Sequence, residues 1–261
     1  FGVDSREGSL DKEAHSDTIL IASINNKTKD VKLVSVYRDT YLDNTNGEYR
    51  KATECYYFGG PSRAISMLNK NLDLDITDFV TVDFTAVADV VDALGGIDID
   101  VQEDEIVHLN NYQVEGSQVT AKEIVPVEYA GLQTLNGLQA LSYCRIRYTA
   151  SLDMGRTERQ RRVLGMLFDK AKIAGLSSIF KIMDDVFPMV QTSLSKQDIL
   201  GLIPTLIGYK FTDSTGFPQK FKFSNIKGSI IVPTDLVNNV VELHKFLYND
   251  QDYTPSSEVV A

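Results

Sequence analysis

Cysteine is scarce in this 261-residue chain, and the two present, Cys55 and Cys144, have neither metal-ligand spacing nor a CxxC. A thiolate zinc site and a dithiol redox centre are therefore excluded. Two buried thiols are expected. A disulfide between them would need an oxidising compartment and Cα atoms within about 7 Å. No segment is long and apolar enough to span a bilayer, and no signal peptide is visible. No repeat and no internal linker interrupt the chain. A basic excess is lacking too: Lys+Arg total 26 against Asp+Glu 36, giving a formal net charge of −10. A protein that grips a phosphate backbone shows a broad basic face, so nucleic acid is excluded as the partner.

Against that acidic background, "RIRYTASLDMGRTERQRR" (145–162) gathers six of the ten arginines. A solvated helix would disperse them. Read as a strand "YCRIRY" followed by a helix from about Arg156 to Ala174, the stretch divides. Arg145 and Arg147, two apart, project from one strand face. Arg156, Arg159 and Gln160 share one helix side, at an N-terminus whose dipole favours an anion. Arg161 and Arg162 point elsewhere as surface charges, with Glu158 four residues before Arg162. Forked donors converging from several directions suit a diphosphate, since guanidinium groups pair bidentately with phosphate and keep their charge.

Two further pieces belong with this cluster. "TILIASI" (18–24) and "VKLVSVY" (31–37) are strands joined by a polar turn, a hairpin. It brings "SDT" (16–18) beside "RDT" (38–40), hence Asp17 near Arg38, and Asp4 after the strand "FGV" is able to join them. Carboxylates beside arginines make sense around a hard cation such as Mg²⁺ (or Mn²⁺) that bridges to phosphates; each aspartate alone could equally be a turn or cap residue.

Elsewhere, helical pieces over 52–71 are broken at Gly59-Gly60-Pro61. "FVTVDF" is a strand, 85–96 a helix, and "IDIDV" a strand with Ile97, Ile99 and Val101 on one face. Residues 102–130 read as polar and irregular, a surface excursion or an added hairpin, and 131–144 as a helix leading into "YCRIRY". Helices follow over 176–187 and 196–209, then a strand or two in "FKFSNIKGSIIVP", then a helix capped by Thr234. Strands alternating with helices predict one α/β domain over 1–249, followed by a disordered tail over 250–261. Phe1-Gly2-Val3 reads as the end of a buried strand, so residues ahead of Phe1 are expected, with room for a membrane segment.

The ordered blocks "GVDSR", "SDTILIASIN", "VSVYRDTY", "YYFGGPSRAI", "VDFTAVADVVDALGGIDIDV", "GLQTLNGLQALSYCRIRY" and "DMGRTERQRRVL", from Phe1 to about Phe168, resemble the LytR-CpsA-Psr family. The resemblance implies a three-layer α-β-α sandwich with a central mixed β-sheet and an apolar lipid pocket between sheet and helices. It implies a membrane-anchored, extracytoplasmic enzyme of Gram-positive type. Such an enzyme moves an anionic glycopolymer (wall teichoic acid or capsule) from a polyprenyl-pyrophosphate carrier to peptidoglycan. By motif, Asp4 and Asp17 would hold the metal. Arg38, Arg145 and Arg147 would hold the pyrophosphate and, with Asp153, carry catalysis, joined by Arg156, Arg159 and Gln160. His15 stands where many members have arginine. It could donate to phosphate when charged or be a plain loop residue. Tyr37 replaces the usual proline. A pyrophosphatase, or a module that holds prenyl-phosphate lipids without turnover, would use the same residues.

Overall fold

The computed structural model describes residues 1–3, 10, 13–147 and 152–260; Asp4 lies outside them. The architecture is mixed α/β with a central mixed sheet and flanking helices. The chain divides into two compact units, one built from its beginning and end and the other from Val82–Phe211.

In the first unit, β1 (Gly2–Val3), β2 (Ser16–Ile24), β3 (Asp30–Val36), β6 (Val80–Val82) and β10 (Lys210–Phe217) lie in the order β10-β3-β2-β1-β6. The expected hairpin is present: β2 and β3 pair antiparallel, Ile19 opposite Val36 and Ile24 opposite Val31. Ile19, Ile21, Val34 and Val36 pack with Met67, Leu68 and Leu72 of α1 (Ala52–Leu72) and with Val240, Leu243 and Leu247 of α8 (Leu236–Tyr248). Burying each such side chain is worth about 1.5–3 kcal/mol, so this cluster anchors the unit. Helix α1 is two pieces, as the glycine-proline run foretold. Gly60 takes φ 63° and ψ −159°, open only to glycine at low cost, and Pro61 starts the second piece.

Three features of this unit escaped the sequence reading. A hairpin of β4 (Tyr41–Asp43) and β5 (Tyr49–Lys51) follows β3, and it lies beside the β11 (Phe221–Ser224) and β12 (Ile230–Pro233) hairpin through a bridge from Thr40 to Ile231. The cap of α8 is Asp235, whose side chain accepts from Asn238 N–H, rather than Thr234. The stretch beyond 249 is docked rather than a disordered tail: Asp73 accepts from the Tyr253 hydroxyl and from Ser256 N–H (2.7 Å). Tyr253 stacks on His244 at 3.7 Å, and Val259 of α9 (Ser257–Val260) is buried.

In the second unit, β7 (Ile97–Val101) pairs antiparallel with β8 (Gly131–Leu135). Ile97, Ile99 and Val101 are buried while Asp98 and Asp100 are exposed, the alternation read from sequence. These strands pack against α2 (Phe84–Ala93), α3 (Glu103–Thr120), α4 (Gly137–Tyr143) and α5 (Leu152–Ile173), with one buried cluster between them. The unit continues through α6 (Leu176–Val186), β9 (Val190–Thr192) and α7 (Lys196–Leu202). Gly137 lets α4 begin against α2, because a Cβ there would come within 2.1 Å of the Ala88 carbonyl oxygen.

Three expectations are corrected here. Residues 102–130 are not irregular: α3 fills 103–120. Its inward positions are Glu105, Leu109, Gln113 and Gly116, at helical spacing but mostly polar, so hydrophobic periodicity hides the helix. "GLQTLNG" is strand β8 ending at the α4 cap Asn136, not helix. The described part of "YCRIRY", residues 143–147, is not a strand. Helix α4 hydrogen bonding runs on through Cys144 N–H to Ala140, and Arg145 N–H bonds Ser142 O in a turn. Arg145 and Arg147 therefore sit in the turn that leaves α4.

Candidate functional site

The candidate residues fall into two groups, one in each unit. The first stands at the open end of the β2–β3 hairpin. Asp17 is the second residue of β2 and Arg38 lies just past β3, and the register that pairs Ile19 with Val36 puts them side by side. They form an ion pair through Arg38 Nη1 and Asp17 Oδ1, with side chains 22% and 23% exposed. The Arg38 carbonyl accepts from Thr53 N–H at 3.0 Å, which pins the turn to the start of α1. Asp39 takes Lys51 Nζ at 2.8 Å, and the same oxygen lies 4.0 Å from Arg38 Nε. Asp39 thus orients the turn. His15 is exposed and stacks on Tyr57, centroids 5.0 Å apart. Tyr37 N–H donates to Phe217 O at 3.0 Å, a bond that proline at this position could not make.

The second group surrounds the turn after α4. The Arg145 guanidinium lies between the rings of Phe84 and Tyr112, 4.9 and 5.1 Å from their centroids. Its Nη2 pairs with Glu115 at 2.8 Å. Arg147 is the more open of the two, 3.9 Å from Asp153. Asp153, in the first turn of α5, holds the buried Arg156 at 2.8 Å.

Deeper along α5, Arg159 Nε donates to Glu105 at 2.7 Å and Nη1 to the Ile146 carbonyl at 3.3 Å. Gln160 Nε2 donates to the Cys144 carbonyl at 3.4 Å. Both side chains therefore grip the backbone of the turn that presents Arg145 and Arg147. Arg161 is buried, against the expectation of a surface charge. Arg162 is the surface member, 3.3 Å from Glu158 and bonded to the Tyr143 hydroxyl at 3.0 Å.

The expected metal pair is half described, because Asp4 lies outside the described residues. Among those residues no group of three or more His, Cys, Asp or Glu side chains gathers. Asp17 supplies hard carboxylate oxygens of the kind Mg²⁺ or Mn²⁺ prefers, one of them shared with Arg38, so the donor chemistry fits such an ion. Both cysteines are free and buried. Burial pushes each thiol up to about 12, and Cys55 Sγ donates to Asn44 at 2.8 Å. Among the described residues no helix is long and apolar enough to cross a membrane.

The LytR_cpsA_psr family pattern matches residues 1–239. The chain belongs to the LytR_cpsA_psr family. The polyisoprenyl-teichoic acid--peptidoglycan teichoic acid transferase TagT of Bacillus subtilis is 31% identical to it over 217 residues, covering 82% of this chain and 65% of that protein. TagU of Enterococcus faecalis, which carries the same transferase name, is 31% identical over 204 residues, covering 76% and 61%. The chain thus spans less than two thirds of the length of these relatives. A solved structure of TagT bound to LI-WTA superimposes with a TM-score of 0.74 at 26% identity, covering 97% of this chain and 88% of that one. Within this LytR_cpsA_psr chain, sequence reasoning missed Glu105, Glu115, Phe84 and Tyr112, all partners of its arginines. The one available signal was Gln102 with Glu105, a helix-start spacing whose capping bond (Gln102 N–H to Glu105, 3.0 Å) is present.

Proposed function

We propose that this protein is a phosphotransferase that moves an anionic glycopolymer, of wall teichoic acid or capsular type, from a polyprenyl-pyrophosphate carrier to peptidoglycan. The observation that carries the reading is Arg38 beside Asp17 at the hairpin end, a guanidinium and a carboxylate held together where the family motifs expect the diphosphate. The names of TagT and TagU support the substrate class.

In this reading Arg38, Arg145 and Arg147 bind the diphosphate and oppose the charge that builds on the bridging oxygen as it leaves. A peptidoglycan hydroxyl oxygen forms the new bond to the glycan-bearing phosphorus. The bond from that phosphorus to the bridging oxygen breaks, and polyprenyl monophosphate departs. Asp153 orients Arg147 and Arg156; Arg159 and Gln160 position the turn behind them. A divalent cation, Mg²⁺ or Mn²⁺, bound with Asp17 and Asp4 would supply Lewis-acid stabilisation of phosphate charge. His15 sits just ahead of β2, where a ring N–H would add a donor to the phosphate. The apolar pocket that the family resemblance implies would take the prenyl chain. The protein would work at the extracytoplasmic face of a Gram-positive-type cell membrane, anchored by a segment outside this sequence.

The test is an assay with a polyprenyl-pyrophosphate-linked glycan, with and without divalent cation and with and without peptidoglycan. Glycan joined to peptidoglycan is the expected result. Release to water alone identifies a pyrophosphatase, and binding without turnover identifies a lipid-holding module.

A further inference from the structure

The β4–β5 hairpin and the turn between β11 and β12 enclose a cleft of about 510 Å³, lined by Tyr41, Tyr49, Arg50, Lys51, Glu54 and Lys227 among others. No step of the proposed reaction uses it. The two tyrosine rings lie 5.7 Å apart and tilted by 35°, and Tyr49 is 49% exposed. Tyr49 is the exposed member of the pair, and Tyr41 is half-buried behind it. Arg50 is bonded to Glu48 at 3.2 Å, leaving other guanidinium N–H groups for a ligand. The Lys227 ammonium stands 5.8 Å over the Tyr41 ring and has no carboxylate partner among the described residues.

Exposed aromatic faces with a rim of fixed donors and acceptors suit a ring-shaped polyhydroxyl ligand, apolar on its faces and polar at its edge. The free ammonium selects an anionic version of it. The cleft also communicates with the candidate phosphate group. Lys51, in its wall, bonds the Asp39 oxygen that lies 4.0 Å from Arg38 Nε.

We infer that this cleft is a subsite for the anionic glycan itself, with a pyranose ring on Tyr49 and Tyr41 and the next phosphate or carboxylate on Lys227. The inference rests on the proposed function only in naming that glycan as the donor. A neutral glycan would leave the Lys227 charge unused, which favours the donor over the peptidoglycan acceptor.

Calorimetry on the whole protein tests it. The probes are a lipid-free N-acetylhexosamine disaccharide carrying one phosphodiester-linked glycerol, the same disaccharide without phosphate, and a soluble peptidoglycan fragment. The first should bind best, and Lys227→Ala and Tyr49→Ala should each weaken it about tenfold at unchanged melting temperature, the scale of one lost charge-assisted contact or aromatic stack. Equal binding by wild type and both variants, or a response to the peptidoglycan fragment alone, overturns the subsite. Arg38→Ala separates the two readings: it should abolish transfer yet keep probe binding in the cleft. Probe binding lost in the cleft variants, in a protein with no transferase activity, would sustain the subsite and remove the proposed function instead.

Discussion

Glu105 of α3 and Arg159 of α5 form an ion pair at 2.7 Å, with side chains only 6% and 9% exposed. The same carboxylate also caps its own helix by accepting Gln102 N–H. A residue in the stretch expected to be loop therefore holds an arginine expected to bind phosphate.

Removing that carboxylate strands a buried guanidinium. Glu105→Ala should cost about 3–5 kcal/mol, whereas a joint Glu105→Leu and Arg159→Met replacement should come close to neutral. Urea melts of both variants check this. A wild-type midpoint for Glu105→Ala would show that the pair does not hold α5 to α3.

Arg38 should behave differently. Its pair with Asp17 is partly exposed, so Arg38→Ala should cost about 1 kcal/mol or less. Transfer should nevertheless be abolished, and Arg38→Lys should restore little because an ammonium lacks the fork. Melting temperature measured beside the acceptor assay separates these effects. A large drop in melting temperature would make Arg38 a structural residue.

Glu115, itself 65% exposed, competes for Arg145 with any incoming anion. Glu115→Gln should tighten binding of inorganic pyrophosphate several-fold, with the gain shrinking in high salt. Titration calorimetry at two ionic strengths reads both. Weaker binding in the variant would mean that Glu115 positions Arg145 instead of shielding it.

The thiols offer a chemical probe. With both pushed up to about 12 by burial, native protein should react negligibly with a thiol reagent at pH 8, because the thiolate is the nucleophile. Denatured, unreduced protein should titrate two thiols per chain. A count of none would mean a disulfide.

Asp73 anchors the C-terminal segment. Burial raises its carboxyl, but the bonds from Tyr253 and Ser256 outweigh that and hold it below the ordinary range. A lowered carboxyl stabilises above its unfolded value near pH ~3.9 and loses that contribution as pH falls through the folded value. Burial and the Asp73 bond push the Tyr253 hydroxyl up, so its contribution is complete below pH ~10 and fades as pH rises beyond that. Docking of residues 250–260 should thus persist across neutral pH and fail in strong acid. Tyr253→Phe should raise protease sensitivity in this segment alone, as mass spectrometry of limited digests would report.

Legibility in the sequence followed local physics. The Asp17–Arg38 pair could be read because hairpin ends meet wherever strands of known length pair, and Ile97, Ile99 and Val101 alternate without ambiguity. Helix α3 could not, since its buried face is Glu105, Gln113 and Gly116 more than leucine. Two-residue spacing in "CRIRY" resembled a strand, but α4 carries its hydrogen bonding through Cys144, a tertiary choice that propensity does not reveal. Arg161 defeats the helical-phase argument for a related reason: phase says which way a residue points, and only packing says what covers it.

The division of the chain also sets an order of assembly. The second unit is built chiefly from the stretch Val82–Phe211, while the first joins segments on either side of it. Lys32 bonds the Phe246 carbonyl at 2.6 Å across 214 positions, and His244 meets the Leu72 carbonyl across 172. A chain emerging N-terminus first can close this middle stretch before the first unit has gained α8. β2 and β3, packed on α1 alone, then wait for α8 to complete the cluster, and closing such long loops is slow. The hairpin that holds Asp17 and Arg38 is made well before the helix that completes its cover.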